Sequence, residues 1–548
     1  MPKASSLLLL LHAAAALWSK TDWRTMFRTA SECPRRTPLD VVHGAIPAAL
    51  RGTAYKVGPG RFGVGSEDYA HWLDGDGYVF ALDFADGGAT YCARFVETAG
   101  YVEEQEKITW RTTFGTQRPG GPLANAFDLK LKNPANTNVL AIPGRDRVLA
   151  LWEAGAPHAL DMETLHTVGV DSLDERVVPG PPGALPLDLP LPFTGDAVSA
   201  HYAACATTKQ TVAWSWRRPA LGDDLFVKLH ELSDVSGHAE GGVDGVLEGV
   251  SFAPHDIGAT PTRACFLAAP ASVEVLGYVL GFRGPAQGVF FDDKRIRAGE
   301  GTTLHALDRR NGGTAERYVC PDAYHPIHVA NAWDDETSGC PSMIAACWPP
   351  DCVNAMASER RDILGDWAPL LGGDFSGAAV TQLVSFSGHG GGARARVLCS
   401  GAHLDHCKVH PAAGGLENKF VYASAGAAVA RGDINDLTYA APQPPQAFVR
   451  VDVSEDAVVD SWFCGERRFT DDAVLAATGE DETDAYLIAP VYDAATQRST
   501  IIVLDCGDLA AGPVCELALP DDAPFIPWGL HGAWSPAANG ATRATEHV

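Results

Sequence analysis

Four histidines sit in short apolar segments that lie far apart in the chain. His201 stands in Ser-Ala-His-Tyr, His255 in Phe-Ala-Pro-His-Asp, His328 in Ile-His-Val-Ala-Asn-Ala-Trp, and His531 in Pro-Trp-Gly-Leu-His-Gly-Ala-Trp. Successive members are separated by 54, 73 and 203 residues. A single histidine in such a setting is ordinarily a satisfied, partly buried core residue. Four of them constrain the fold far more, because only an architecture that gathers distant segments at one point can use them together.

From Thr37 onward the text reads as short strands and turns, with 56 glycines and 37 prolines spread evenly. Two hairpins are predicted. Asn138–Ile142 turns at Pro143-Gly-Arg-Asp146 and returns as Arg147–Trp152; Ala485–Tyr492 turns at 493–497 and returns as Ser499–Leu504. No long amphipathic helix is evident. A strand ending in Leu-Asp before a polar turn recurs at Phe80–Asp83, His158–Asp161, His305–Asp308 and Ile502–Asp505. Such weak, irregular self-similarity suits degenerate propeller blades. It also suits ordinary strand-to-turn chemistry, where Asp is favoured anyway, so a large sandwich stays open beside a propeller. A propeller accounts for the histidines, since the innermost strand of every blade faces one axis. The spacing then reads as one histidine per blade, with blades skipped before His531.

Composition excludes some partners. The formal charge is −26, from 68 acidic and 42 basic residues, and basic residues form no cluster, which argues against nucleic acid. The thirteen cysteines include no CxxC pair, which points to buried thiols in a reducing compartment and away from a disulfide framework. Lys3 precedes an apolar run too short to span a bilayer, and Lys20, Arg24, Arg28, Arg35 and Arg36 follow it. Residues 1–36 are therefore expected to be a cleaved targeting leader, with one domain over 37–548; a short apolar helix packed on the domain is the other reading. Asp74-Gly-Asp-Gly77 lacks the remaining ligands of an EF-hand loop. Gly58-Pro-Gly60 and Gly63-Val-Gly65 do not open a helix, so neither is a nucleotide-binding loop.

Several further segments carry a resemblance. Gly44–Pro47, Leu50–Gly60, His71–Tyr78, Ala135–Asn138, Leu151-Trp-Glu-Ala-Gly155 and the four histidine segments follow one another as in the carotenoid oxygenases. That family comprises carotenoid cleavage dioxygenases, lignostilbene dioxygenases and the retinoid isomerase of the visual cycle. The resemblance runs from about Thr37 to the end. It implies an all-β, seven-bladed β-propeller with loops and short helices capping the metal face. It implies that His201, His255, His328 and His531 hold one Fe(II), a metal that imidazole suits.

It also implies three outer carboxylates, glutamates in the family, that orient the ligating imidazoles. Glu153 matches the first. Glu482 matches the third, with Asp481 as a register alternative. The family's Glu-Phe-Pro-Arg-Ile-Asn-Pro aligns with Asp405-His-Cys-Lys-Val-His-Pro411, so Asp405 replaces the second glutamate, with Glu417 as its alternative. Trp152, Trp333 and Trp528 are expected to line a substrate tunnel. The implied reaction is oxidative cleavage of a conjugated C=C bond of a carotenoid or apocarotenoid by O2. Stilbene cleavage, isomerisation without cleavage, and a metal-free binding propeller are the alternatives. The lignostilbene members place a lysine just before the first outer glutamate, whereas Trp152 stands there in this chain. That favours an apolar polyene over a phenol, although Lys130 or Lys132 could also reach in. Peripheral contact with a membrane is expected during substrate delivery. An organellar site is expected, a plastid if the source is photosynthetic, with cytoplasmic or secreted locations as alternatives.

Overall fold

A computed structural model of the chain describes residues 18–178, 195–218, 222–364, 370, 372–375, 379–426 and 443–537. Within them the chain is mostly β, with short helices between strands. The strands form antiparallel groups that follow the chain in order. The first holds Gly52–Arg61, Asp76–Ala85 and Gly88–Phe95; the second Asn138–Ile142, Arg147–Leu151, His158–Asp161 and Thr167–Val170. In the third, Ala197–Val198 and Ala203–Cys205 both pair with Gln210–Arg217, which leads to Leu225–Ser233 and Asp244–Leu247. The fourth runs Gly258–Ala259, Arg263–Ala268, Thr303–Asp308, Glu316–Val319, and the fifth His325–Asp334, Pro341–Trp348, Gln382–His389, Gly392–Leu398. A parallel bridge between Val319 and Gly392 joins these two. The sixth runs Leu404–Lys408, Phe420–Ala425, Ala447–Asp452, Ala457–Phe463. The seventh holds Val474–Ala477, Ala485–Asp493, Arg498–Asp505 and Pro513–Ala518.

The inner strands of these sheets are buried on both faces, and strand alternation explains how. Along Asp76–Ala85, Tyr78, Phe80, Leu82 and Phe84 pack on the seventh group. Val79 and Ala81 pack on the second. Along Pro341–Trp348, Met343, Ala345 and Cys347 face the fourth group while Ile344 and Ala346 face the sixth. Apolar clusters of this kind lie between each group and the next, and also between the seventh and the first. First strands of neighbouring groups lie against one another: Ala203–Cys205 on Gly258–Ala259, that strand on His325–Asp334, and that in turn on Leu404–Lys408. Strands from the two ends of the chain interlock. Gly532–Pro536 pairs with Gly52–Arg61, and Asp40–Gly44 pairs with Pro513–Ala518.

The predicted hairpins form as read. Ile142 pairs with Arg147 across a turn whose Asp146 has φ 50°, and Asp493 pairs with Arg498 across a turn whose Gln497 has φ 55°. The Asp-Gly-Asp-Gly motif anchors a loop. Asp74 accepts the N–H groups of Phe114 and Thr116, and Asp76 pairs with Arg61 and Lys132. Gly77 is required there, since a Cβ would stand 2.2 Å from the Ala135 carbonyl oxygen. The thirteen cysteines are all free, eleven of them buried.

One boundary moves. Residues 1–17 of the expected leader lie outside the described residues, but Trp18–Arg36 belongs to the body. Trp23 and Met26 are 2% and 1% exposed, in a cluster with Phe469, Tyr492 and Phe525. Asp22 pairs with Arg467 and Lys20 with Asp374, and Cys33–Pro38 adds a strand beside Gly88–Phe95. For residues 18–36 this packing agrees with the other reading of the segment, a short helix lying on the domain.

Candidate metal centre

The places where the groups' first strands begin, or where the chain runs into them, hold the chemistry. His201 lies between Ala197–Val198 and Ala203–Cys205; His255 precedes Gly258–Ala259; His328 lies in His325–Asp334; His531 precedes Gly532–Pro536. The four imidazoles meet, each offering a nitrogen within 4.8 Å of the others. Ring centroids are 4.3 Å apart for His201 and His255, 4.7 Å for His201 and His531, and 4.8 Å for His328 and His531. The second group contributes backbone: the Thr137 carbonyl accepts the His531 N–H.

Carboxylates hold the outer nitrogens of two of the four rings. Asp405 lies 2.6 Å from His328 Nδ1, and Asp472 lies 3.0 Å from His531 Nδ1. Glu153 Oε1 stands 3.5 Å from His255 Nδ1 and 3.8 Å from His201 Nε2, a looser arrangement. Asp256 Oδ2, which accepts the Val329 N–H, lies 3.6 Å from His201 Nδ1. Burial and the neighbouring imidazoles hold His201 and His255 well below the ordinary histidine pKa, and burial pulls His531 down to about 3. At His328 burial opposes the charge, but Asp405 outweighs it and raises the pKa. Burial alone would raise Asp405, yet His328 holds it well below the usual carboxylate range. Asp405 therefore stays an acceptor for the Nδ1–H. Burial, then the charge of Asp256, pushes Glu153 well up.

These residues fit a metal ion. His201 Nε2 is buried with no hydrogen-bond partner, an arrangement that costs roughly 1–3 kcal/mol when left unmet. A cation shared by the four rings would take that lone pair. With Nδ1 of His328 and His531 turned to carboxylates, Nε2 is the free donor on both, the usual geometry of a ligating imidazole with its other nitrogen held by an acid. Four neutral nitrogen donors suit a divalent first-row metal such as iron or cobalt.

Two expectations need correction. Glu482 does not reach the centre; it accepts the N–H groups of Lys419 and Phe420 at 2.8 Å each. It lies in the turn beyond the far end of Val474–Ala477, whereas Asp472 sits just before that strand's start, where the chain comes in to the centre. The alternatives Asp481 and Glu417 are both exposed. Trp333 lies in the cluster between the fifth and sixth groups, with Ile344 and Leu383. It serves sheet packing, not a tunnel wall. Trp152 is buried with Leu131 and Tyr278 under the loops. Trp528 packs on Trp72 and Trp23 and lies 6.4 Å from the His406 ring, on the side of the centre.

Sequence reasoning missed Asp472, Asp256 and His406. The signal for Asp472 was the Asp-Asp pair leading into the apolar run Ala473–Ala477. His406 is buried, with its ring 5.1 Å from that of His328. Ser424 spends its hydroxyl hydrogen on the Asp405 carbonyl, so His406 Nδ1 donates to Ser424 Oγ at 2.9 Å.

The chain is similar to known proteins over most of its length. Residues 26–536 match the family model described as retinal pigment epithelial membrane protein. An apocarotenoid-15,15′-oxygenase of Synechocystis is 31% identical over 507 residues, covering 91% of this chain and 93% of the relative. A protein of Oryza sativa, carotenoid cleavage dioxygenase 7, chloroplastic, is 26% identical, covering 95% and 92%. The solved structure of cobalt-substituted Synechocystis apocarotenoid oxygenase superposes with a TM-score of 0.77 at 27% identity, over 95% of this chain and 100% of that one.

Proposed function

The chain belongs to the carotenoid oxygenase family, and from that premise we propose that this oxygenase uses Fe(II) to cleave a conjugated C=C bond of a carotenoid or apocarotenoid. One O2 is consumed per bond, each carbon taking one oxygen, so that two carbonyl products form. The single observation that carries the reading is the convergence of four imidazoles with Asp405 and Asp472 on their outer nitrogens. A metal bound there supplies oxygen activation. The chain itself holds the imidazoles in one tautomer and orients the polyene. Support for a seven-bladed propeller comes from the ordered strand groups and from the apolar clusters that close the seventh onto the first.

The substrate class follows from what flanks the centre. Of the two lysines that could have met a phenol, one is held in ion pairs and the other lies at the surface. Lys132 is buried between Asp76 and Glu104, 2.7 Å from each, and Lys130 is exposed. Burying an unpaired hydroxyl costs roughly 1–3 kcal/mol, a cost a polyene avoids. Leu123, Phe127, Leu276 and Phe282 stand 61–95% exposed on two neighbouring short helices and the turns after them, where the Phe127 N–H meets the Val279 carbonyl. We assign this apolar edge to a membrane surface that delivers the polyene. For location we favour an organelle, a plastid if the source is photosynthetic, in keeping with chloroplastic relatives such as the rice protein; import of a fluorescent fusion tests it. The reaction is tested by iron analysis together with oxygen uptake on an apocarotenal and a hydroxystilbene at equal concentration. Stoichiometric iron and faster turnover of the apocarotenal are expected. Isomerised substrate without oxygen uptake, or faster stilbene turnover, overturns the assignment.

A further inference from the structure

The strand Leu404–Lys408 touches the centre twice. Asp405, near its start, takes the His328 N–H directly. Lys408, at its end, reaches across to the seventh group, with Nζ 2.5 Å from Asp472 Oδ1 and 2.5 Å from the Ala473 carbonyl oxygen. The other oxygen of Asp472 faces His531 Nδ1 at 3.0 Å. Asp472 is 2% exposed, so its charge is met by protein groups. Its backbone is fixed as well: buried Lys56 donates to the Asp472 carbonyl and to that of Leu530, and pairs with Asp471 at 3.2 Å. Glu153, Asp405, Asp256 and Asp472 all face the imidazoles. Among the described residues, Asp472 alone of the four carries a lysine partner.

We propose that Lys408 is a positioning residue for His531: its ammonium fixes the plane and the charge of the Asp472 carboxylate, and so the donor strength of the imidazole. An aspartate has one methylene fewer than a glutamate and few ways to aim both oxygens. Tying Oδ1 to Lys408 leaves Oδ2 directed at Nδ1. The ammonium also draws electron density from the carboxylate, which limits how far Asp472 pulls the Nδ1 proton. Freed of that cation the carboxylate would pull harder but would also swing away from Nδ1, and the loss of aim outweighs the gain in pull, so His531 is held less well toward the metal. Lys408 thus separates this imidazole from His328, whose Asp405 has no such cation.

This inference rests on the metal centre argued above, and its test uses the full chain loaded with Co(II), whose visible ligand-field bands report donor strength. Lys408→Met removes charge and donors. Lys408→Gln removes the charge but keeps a donor for the Ala473 carbonyl, which preserves the fold if the methionine variant fails. Both are expected to shift the Co(II) bands and to weaken Co(II) retention against a chelating dye about tenfold, the low end of the range for partners that orient a ligand. Lys408→Arg is expected to restore both readouts. Wild-type bands and retention in the Met and Gln variants overturn the inference, even where thermal stability falls, because that result leaves Lys408 a structural ion pair only. A wild-type chain that takes up no Co(II) overturns the centre itself, and this inference with it.

Discussion

Asp405 and Asp472 each meet an imidazole with a side chain shorter than glutamate, and at Asp405 the backbone makes up the difference. His406, directly after Asp405, has φ 50°, and its N–H is accepted by the same Asp405 oxygen that faces His328. The turn therefore presses the carboxylate forward. Asp405→Asn and Asp472→Asn should each lower metal retention roughly 10- to 100-fold, read as metal content after dialysis. Glu482→Gln should leave metal content unchanged, since the Glu482 carboxylate accepts the Lys419 and Phe420 amides. Other histidines predict an acid limit. Burial holds His158 at about 4, and His71, His230 and His305 at about 3, against an ordinary 6.5. Their folded pKa values lie below the unfolded ones, so the unfolded chain binds more protons inside that window. Stability is then full above pH 6.5 and falls as pH drops from there toward 4, by about 1.4 kcal/mol per pH unit for each histidine fully engaged. Unfolding midpoints measured between pH 7.5 and 4.5 check this, and a midpoint that rises on acidification refutes it.

Strands explain which residues could be read in advance. The two hairpins were legible because turn residues and apolar runs bound them on both sides. The Leu-Asp device was legible but ambiguous, and the structure gives it a meaning. In the second, fourth and seventh groups it closes the third strand, where Asp161, Asp308 and Asp505 each accept N–H groups from the turn that follows. Trp333 was misread because strands buried on both faces carry apolar residues that look alike. Nothing in the local text says which of them face the axis and which face a neighbouring sheet. Glu482 was misread for a related reason: the short strand Val474–Ala477 carries little signal, so the chain's approach to the centre could not be located. The two-faced burial makes its own prediction. Met343→Ala and Ile344→Ala should each cost about 2–5 kcal/mol, the range for such truncations in a core. They open different interfaces, toward the fourth and the sixth group. Their side chains share no cluster, so the coupling in the double variant should stay within about 0.5 kcal/mol as long as the strand they share does not shift. Chemical denaturation measures this, and strong coupling would show that the two interfaces are not independent.

For the molecule as a whole, the ends of the chain hold the ring of groups closed. Gly532–Pro536 completes the first group and Asp40–Gly44 completes the seventh, so each end builds a sheet begun by the other. Trp18–Arg36 extends that closure over the metal face. Trp23 packs against Trp528 with centroids 5.6 Å apart and donates its indole N–H to the Leu370 carbonyl. Trp528 in turn lies beside His406, whose ring neighbours those of His328 and His531. A chain beginning at Thr37 loses Trp23, Met26, the Asp22–Arg467 pair and most of the strand Cys33–Pro38. Losing the buried Trp and Met side chains alone amounts to on the order of 5 kcal/mol, at about 1.5–3 kcal/mol for each large side chain. Compared with a chain beginning at Trp18, it should unfold at a clearly lower denaturant midpoint. It should also release metal faster, because the layer over Trp528 is gone. Equal midpoints and equal metal release would return residues 18–36 to the leader. A lower midpoint with unchanged release would confine them to stability and remove them from the metal face.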